Sequence, residues 1–175
     1  HMVDVIHRYE RGNRKRHPVV VSGCGDGLTN EQLLACDAEV VGPSGIGDRK
    51  YLNNPPAADG TKVVLHDTDH IKPTCRDPAF IWKNFLRGNH PIVLDWDLTE
   101  RKDDQWEPIR LAMGLSRMLA ERIDLAAMKP AGSVASSGYC LADRGSDYLV
   151  YVPGGGEVKI DLTDSPGTHD VQWID

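Results

Sequence analysis

Residues 61–70, TKVVLHDTDH, set two carboxylates and two imidazoles directly after a β-branched run. His66, Asp67, Asp69 and His70 are the residue types that move protons or hold metals. Asp67 and Asp69 stand two apart, so on a continuing strand they share one face. A second acidic group, Asp95 and Asp97 around Trp96, follows the next β-rich stretch, and Trp106 comes shortly after. Paired carboxyls of this kind suit hydrolysis of a glycosidic bond. A separation of roughly 5–5.5 Å gives retention and roughly 6.5–9.5 Å inversion. One of the two must stay protonated near neutral pH, which burial or a neighbouring like charge arranges. Trp96, Trp106 and Tyr51 offer rings that could stack on a sugar. The plain alternative is that Asp67 and Asp69 cap loops and the aromatics only pack.

Other chemistries are weaker. His66, Asp67, Asp69 and His70 are ligand types suited to zinc, manganese or iron, but no partner motif fixes a geometry, so no metal is assigned. Ser22 and Cys24 in VVVSGCGDG follow a strand and a glycine-rich turn, yet the GxSxG order of a nucleophile elbow is missing. The same turn has neither phosphate-binding glycine pattern. A tight turn from strand to helix accounts for its glycines.

The elements that must position these residues alternate. Val3 to Glu10 reads as an amphipathic helix stopped by Gly12. Pro18 to Gly23, Ala38 to Gly42, Lys62 to Asp67 and Pro91 to Asp95 read as short strands buried on both faces. Thr29 with Gln32 forms a capping box, and Asp77 caps a helix with Pro78 in its first turn. Asp104 and Glu107 predict a second box ahead of the longest helix, whose apolar face is Ala112, Leu115, Leu119 and Ile123, widened by Leu111 and Met118. Residues 43–60 read as one long loop. After Pro130 helical periodicity ends, and SVASSGYCLA, DYLVYV, EVKIDL and HDVQWI read as four antiparallel strands. Apolar strands separated by helices predict a parallel sheet with ligands beyond its carboxyl ends.

The chain has 175 residues and a formal charge of −6, which argues against nucleic acid as a partner. Its one basic cluster, RGNRKRH at residues 11–17, reads as a solvated helix end. No run approaches the roughly 20 apolar residues of a membrane span, so no membrane partner is expected. No signal-peptide pattern opens the sequence, which leaves a cytoplasmic location by default. Cys24, Cys36, Cys75 and Cys140 show no CxxC pair, and they read as buried or idle thiols.

Five segments in succession, VDVIHRYE, PPAADGTKVVLHDTDH, FIWKNFLRGNHPIVLD, RLAMGLSRMLAERIDLAAMKP and SSGYCLADRGSDYLVYVPGGGEVKIDL, carry a resemblance. Together they resemble the C-terminal part of apiosidase-like glycoside hydrolases, an eight-stranded β/α barrel followed by a small β-sandwich labelled as collagen-binding. The resemblance implies the last barrel strands and the start of the sandwich. In such barrels one catalytic carboxylate follows the fourth strand and the other the seventh. HDTDH matches the seventh, so Asp67 or Asp69 would inherit the nucleophile or base role. The fourth-strand acid has no counterpart in this sequence.

The expectation is thus an α/β chain. Residues 2–130 form a partial (β/α) barrel-like parallel sheet with helices, and residues 131–175 an antiparallel β unit, a truncated sandwich. Asp67, Asp69 and Asp95 are the candidate catalytic groups. His66, His70, Trp96, Asp97 and Trp106 are the candidate substrate contacts. The substrate is a carbohydrate, and no cofactor is called for. The alternative is a non-catalytic carbohydrate-binding or assembly remnant of a barrel enzyme. Four parallel strands cannot close a barrel, so either the β unit covers an open edge in a rearranged α/β sandwich or copies associate as a homodimer or higher homo-oligomer.

Overall fold

The computed structural model describes residues 2–23, 28–43, 50–68, 77–94 and 106–174. Helix α1 (Met2–Gly12) precedes strand β1 (Val20–Ser22), and α2 (Asn30–Ala35) leads to β2 (Val40–Gly42). A single helical turn, α3 (Lys50–Asn53), precedes β3 (Val63–Asp67), and α4 (Pro78–Phe85) precedes β4 (His90–Ile92). The four strands pair in sequence order, all parallel. The longest helix, α5 (Glu107–Ala120), then packs on α4. The chain is therefore a mixed α/β protein with a parallel sheet and, after it, a separate antiparallel one. No helix among the described residues is long and apolar enough to cross a membrane.

Local chemistry explains the helix ends. Thr29 accepts from the Gln32 N–H while the Gln32 side chain accepts from the Thr29 N–H, the reciprocal cap expected from the sequence. Asp77 caps α4 by accepting from Ala79 N–H at 2.9 Å. Both α1 and α4 close with a 6→1 backbone bond, Lys15 N–H to Glu10 O and Asn89 N–H to Asn84 O. In α4 the left-handed position belongs to Gly88, φ 70°. In α1 it belongs to Arg14, φ 54°, where a Cβ costs about 1–2 kcal/mol.

One face of the parallel sheet is covered. Val64, His66 and Thr68 on β3 and just beyond are buried, as are Val41 and, partly, Val21, which stand beside them in register. The alternate residues point the other way and are open: Val20 is 58% exposed, Val63 43% and Ile92 44%. The strands were expected to be buried on both faces; period-two alternation instead leaves an apolar face uncovered. Neither β1 nor β4 has a further strand paired beyond it among the described residues.

Three expectations need correction. Helix α5 begins after Trp106, which lacks a side-chain cap bond, and Pro108 lies in its first turn; Asp104 is outside the described residues. Its buried face is Ile109, Ala112 and Ser116, so Leu111 points to solvent. The third concerns the C-terminal unit, which has three strands: β5 (Lys129–Pro130), β6 (Cys140–Asp143) and β7 (Asp147–Val150). EVKIDL contributes one bridge, Ile160 to Ala135, and HDVQWI contributes no strand.

This unit is packed on the helices. Phe85 and Leu86 meet Met128, Tyr139 and Leu141, with Leu119, Ile123 and Tyr151 around them. The Trp82 and Tyr151 rings stack at 6.2 Å, and Tyr139 Oη donates to Asn54 Oδ1 at 2.9 Å. Within the unit, a Cβ on Gly132 would stand 2.6 Å from the Gly138 carbonyl oxygen. Gly132→Ala must push backbone against backbone, with an expected loss of about 1–3 kcal/mol. Gly154→Ala meets nothing within 4 Å and serves as the control in urea denaturation.

Candidate acidic rim at the carboxyl end of the parallel sheet

Asp67 is the last residue of β3 and stands in register with Ile92 of β4. Its side belongs to the open face, with Val63 and Leu65, and it is half-buried. The pairing continues past both strands. Thr68 N–H donates to Ile92 O at 3.1 Å, and Thr68 Oγ1 accepts from Leu94 N–H at 2.9 Å. The ladder thus brings together Thr68 and Leu94, the residues immediately before Asp69 and Asp95. Asp69, His70, Asp95, Trp96 and Asp97 lie outside the described residues.

Strand alternation separates His66 from Asp67. His66 is 1% exposed and sits on the helix side, so its expected contact with substrate is corrected to a buried role. Its Nδ1 is 2.6 Å from Asn84 Oδ1. The Asn84 amide is oriented by its own bonds, since Nδ2 donates to Phe80 O at 2.8 Å, leaving Oδ1 as the acceptor. The imidazole therefore carries its proton on Nδ1. Asn89 Nδ2 reaches the same Oδ1 at 3.3 Å and Pro56 O at 3.0 Å. His66 Nε2 has no hydrogen-bond partner and is flanked by the rings of Tyr51 and Phe80, at 5.4 and 5.8 Å between centroids.

Burial lowers the His66 pKa, against the opposing pull of the Asn84 bond and the Asp67 charge. The unfolded chain takes up this proton near pH 6.5, while the folded chain resists it to lower pH. Between those values the unfolded state holds more protons, so stability rises with pH there and is lost as pH falls below about 6.5. Urea midpoints measured from pH 7.5 down to 5 should drop less steeply in His66→Phe than in the wild type. Parallel slopes would contradict the buried neutral imidazole.

Trp106 and Tyr51 also change role. Trp106 is 4% exposed and packs with Phe80, Ile81, Ile109 and Ala112, so its ring is not offered to a sugar. Tyr51 is buried as well. His66 cannot join Asp67 on a metal, because they project from opposite faces of β3. Among the described residues no group of three or more His, Cys, Asp or Glu side chains is arranged to hold a metal. Ser22 ends β1, exposed beside Gly42, where a Cβ would meet its Oγ at 3.1 Å; Cys24 is outside the described residues. Cys140 is fully buried, and burial pushes its thiol up to about 11, so it is a poor nucleophile.

The residue missed from sequence is Asn84. It falls at the i+4 position from Phe80, on the buried stripe of α4, where a polar side chain must have a fixed partner. Comparison with family models, with curated proteins and with solved structures finds no match to this chain.

Proposed function

We propose that this chain is a glycoside-hydrolase-type protein, similar to the apiosidase-like enzymes, that cleaves O-glycosidic bonds of poly- or oligosaccharides at an acidic rim. Asp67, Asp69 and Asp95 are its carboxyl groups, and His70, Trp96 and Asp97 are its substrate contacts. The observation that supports it is the ladder at the rim: Asp67 ends β3, and Thr68 is bonded to Ile92 and Leu94, directly before Asp69 and Asp95. Ligands of parallel β/α sheets bind at this end of the strands.

In this reading one carboxyl protonates the glycosidic oxygen as the bond to the anomeric carbon breaks. A second, Asp67 or Asp69, either attacks that carbon or takes a proton from the water that does. The buried His66–Asn84 pair fixes the end of β3 from behind and so holds the direction of Asp67. The parallel sheet belongs to a partial barrel, which a second copy of the chain completes.

One observation favours a second reading, a non-catalytic sugar-binding or assembly module: the apolar face of the parallel sheet is uncovered at Val20, Val63 and Ile92. An assay separates the two. Aryl glycosides and polysaccharide fragments are screened with wild type, Asp67→Asn and Asp69→Asn. Turnover that falls in one or both variants supports the hydrolase. Turnover that survives both removes these carboxylates from the chemistry, and sugar binding without turnover supports the module.

A further inference from the structure

A second charged hollow lies at the amino end of the same sheet. A cavity of about 300 Å³ is lined by His7, Glu10, Arg11, Lys15, Arg16 and Glu39. It joins α1 and the segment entering β1 to the residue just before β2, away from the rim where Asp67 stands.

The two carboxylates in this hollow are already engaged. Glu10 accepts from His17 N–H at 2.9 Å through one oxygen and meets His17 Nδ1 at 2.5 Å through the other. Glu39 accepts from Val19 N–H at 2.9 Å and lies 3.3 Å from His7 Nε2. These bonds hold both carboxyls below their ordinary range: the backbone N–H of His17 is the main cause for Glu10, and that of Val19 for Glu39. Both therefore stay ionised while latching the chain, so three cations of the hollow stand against two carboxylates.

The cations are not engaged in the same way. Among the described residues no ion pair or side-chain hydrogen bond involves Arg11, Lys15 or Arg16. Arg117 pairs with Glu121 at 2.9 Å and Arg144 with Asp164 at 2.6 Å, whereas Arg8, Arg14 and Arg122 have no such partner either among the described residues. What sets Arg11, Lys15 and Arg16 apart is that the three line one hollow. Arg11, in the last turn of α1, is accounted for by the negative end of the helix dipole. Lys15 and Arg16 lie past the helix and still line the hollow, so that account does not extend to them.

We propose that this hollow binds a small ligand through a phosphate or sulfate group held among Arg11, Lys15 and Arg16. A guanidinium fork matches two oxygens of such a group, and an ammonium adds a point charge. The volume is at the lower end for small-molecule sites and suits a monosaccharide ester better than a polymer. The chain's net charge of −6 makes this local excess of positive charge a feature of the hollow and not of the whole surface.

Isothermal titration of the full chain at low salt with inorganic phosphate, inorganic sulfate and a hexose phosphate tests it. One saturable site per chain is expected. Arg11→Ala, Lys15→Ala and Arg16→Ala should each weaken it about tenfold, the worth of one charge-assisted hydrogen bond. Glu39→Gln keeps an acceptor for Val19 N–H, removes a charge and should tighten binding, whereas Glu121→Gln should not. Saturation by phosphate with none by sulfate assigns a phosphate ester, and the reverse a sulfate ester. Absence of saturation in the millimolar range with all three probes, or equal weakening by Arg117→Ala, overturns the proposal.

Discussion

Phe80→Ala is expected to lower the unfolding free energy by about 3–5 kcal/mol, the usual cost of removing a fully buried ring and leaving its cavity. Phe80 is buried where three elements meet. Its neighbours Ile109 and Ala112 come from α5, Ile81 from its own helix, Trp106 from the turn before α5, and its ring lies against His66 on β3. Rigid flanking helices cannot collapse into the space. A domain of this size has roughly 5–15 kcal/mol in total, so the variant should be partly unfolded in mild urea. Leu111→Ala, on the solvent side of α5, should stay within about 0.5 kcal/mol of wild type. A loss at Phe80 no larger than that at Leu111 would mean that α4 and α5 are not packed on the sheet as described.

The second large effect is catalytic. On the proposed hydrolase reading, Asp67→Asn keeps the size of the side chain and removes its ability to accept a proton or attack a carbon. The expected loss in kcat is about 10²–10⁴-fold, the range for a positioned acid or base. Stability should change little, because Asp67 sits at a half-buried strand end and the amide is isosteric. The pair of readouts matters: kcat must fall while the urea midpoint holds. A fall in both together would instead mark Asp67 as a structural group whose bonds secure the end of β3.

Local chemistry was the legible part of this sequence. The Thr29–Gln32 box and the Asp77–Pro78 start were read from side-chain types at fixed offsets, and both form. The four parallel strands were visible as β-branched runs between helices. What failed needed geometry around an axis. HDTDH was read as one cluster by composition, although the alternation of a strand already sends His66 and Thr68 to the side opposite Asp67. On α5 the expected face is right at Ala112, Leu119 and Ile123, which pack in the core, but Leu111 points to solvent while Ile109 and the small polar Ser116, which carries no apolar signal beside the leucines, are buried. EVKIDL alternates as a strand should, but alternation does not supply a partner; only Ile160 finds one, with Ser136 and Lys159 exchanging bonds beside it. Lys50–Asn53 is a single turn, too short to carry a period.

Hydrolysis in ¹⁸O-labelled water tests the central proposal most directly. Wild-type chain incubated with the oligosaccharide panel should yield products carrying the label at the new reducing end, read by mass spectrometry, and Asp67→Asn should label them at least about a hundredfold more slowly. Labelling at equal rates in the two proteins, or no labelled product from any sugar, would contradict an acidic rim that cleaves glycosidic bonds.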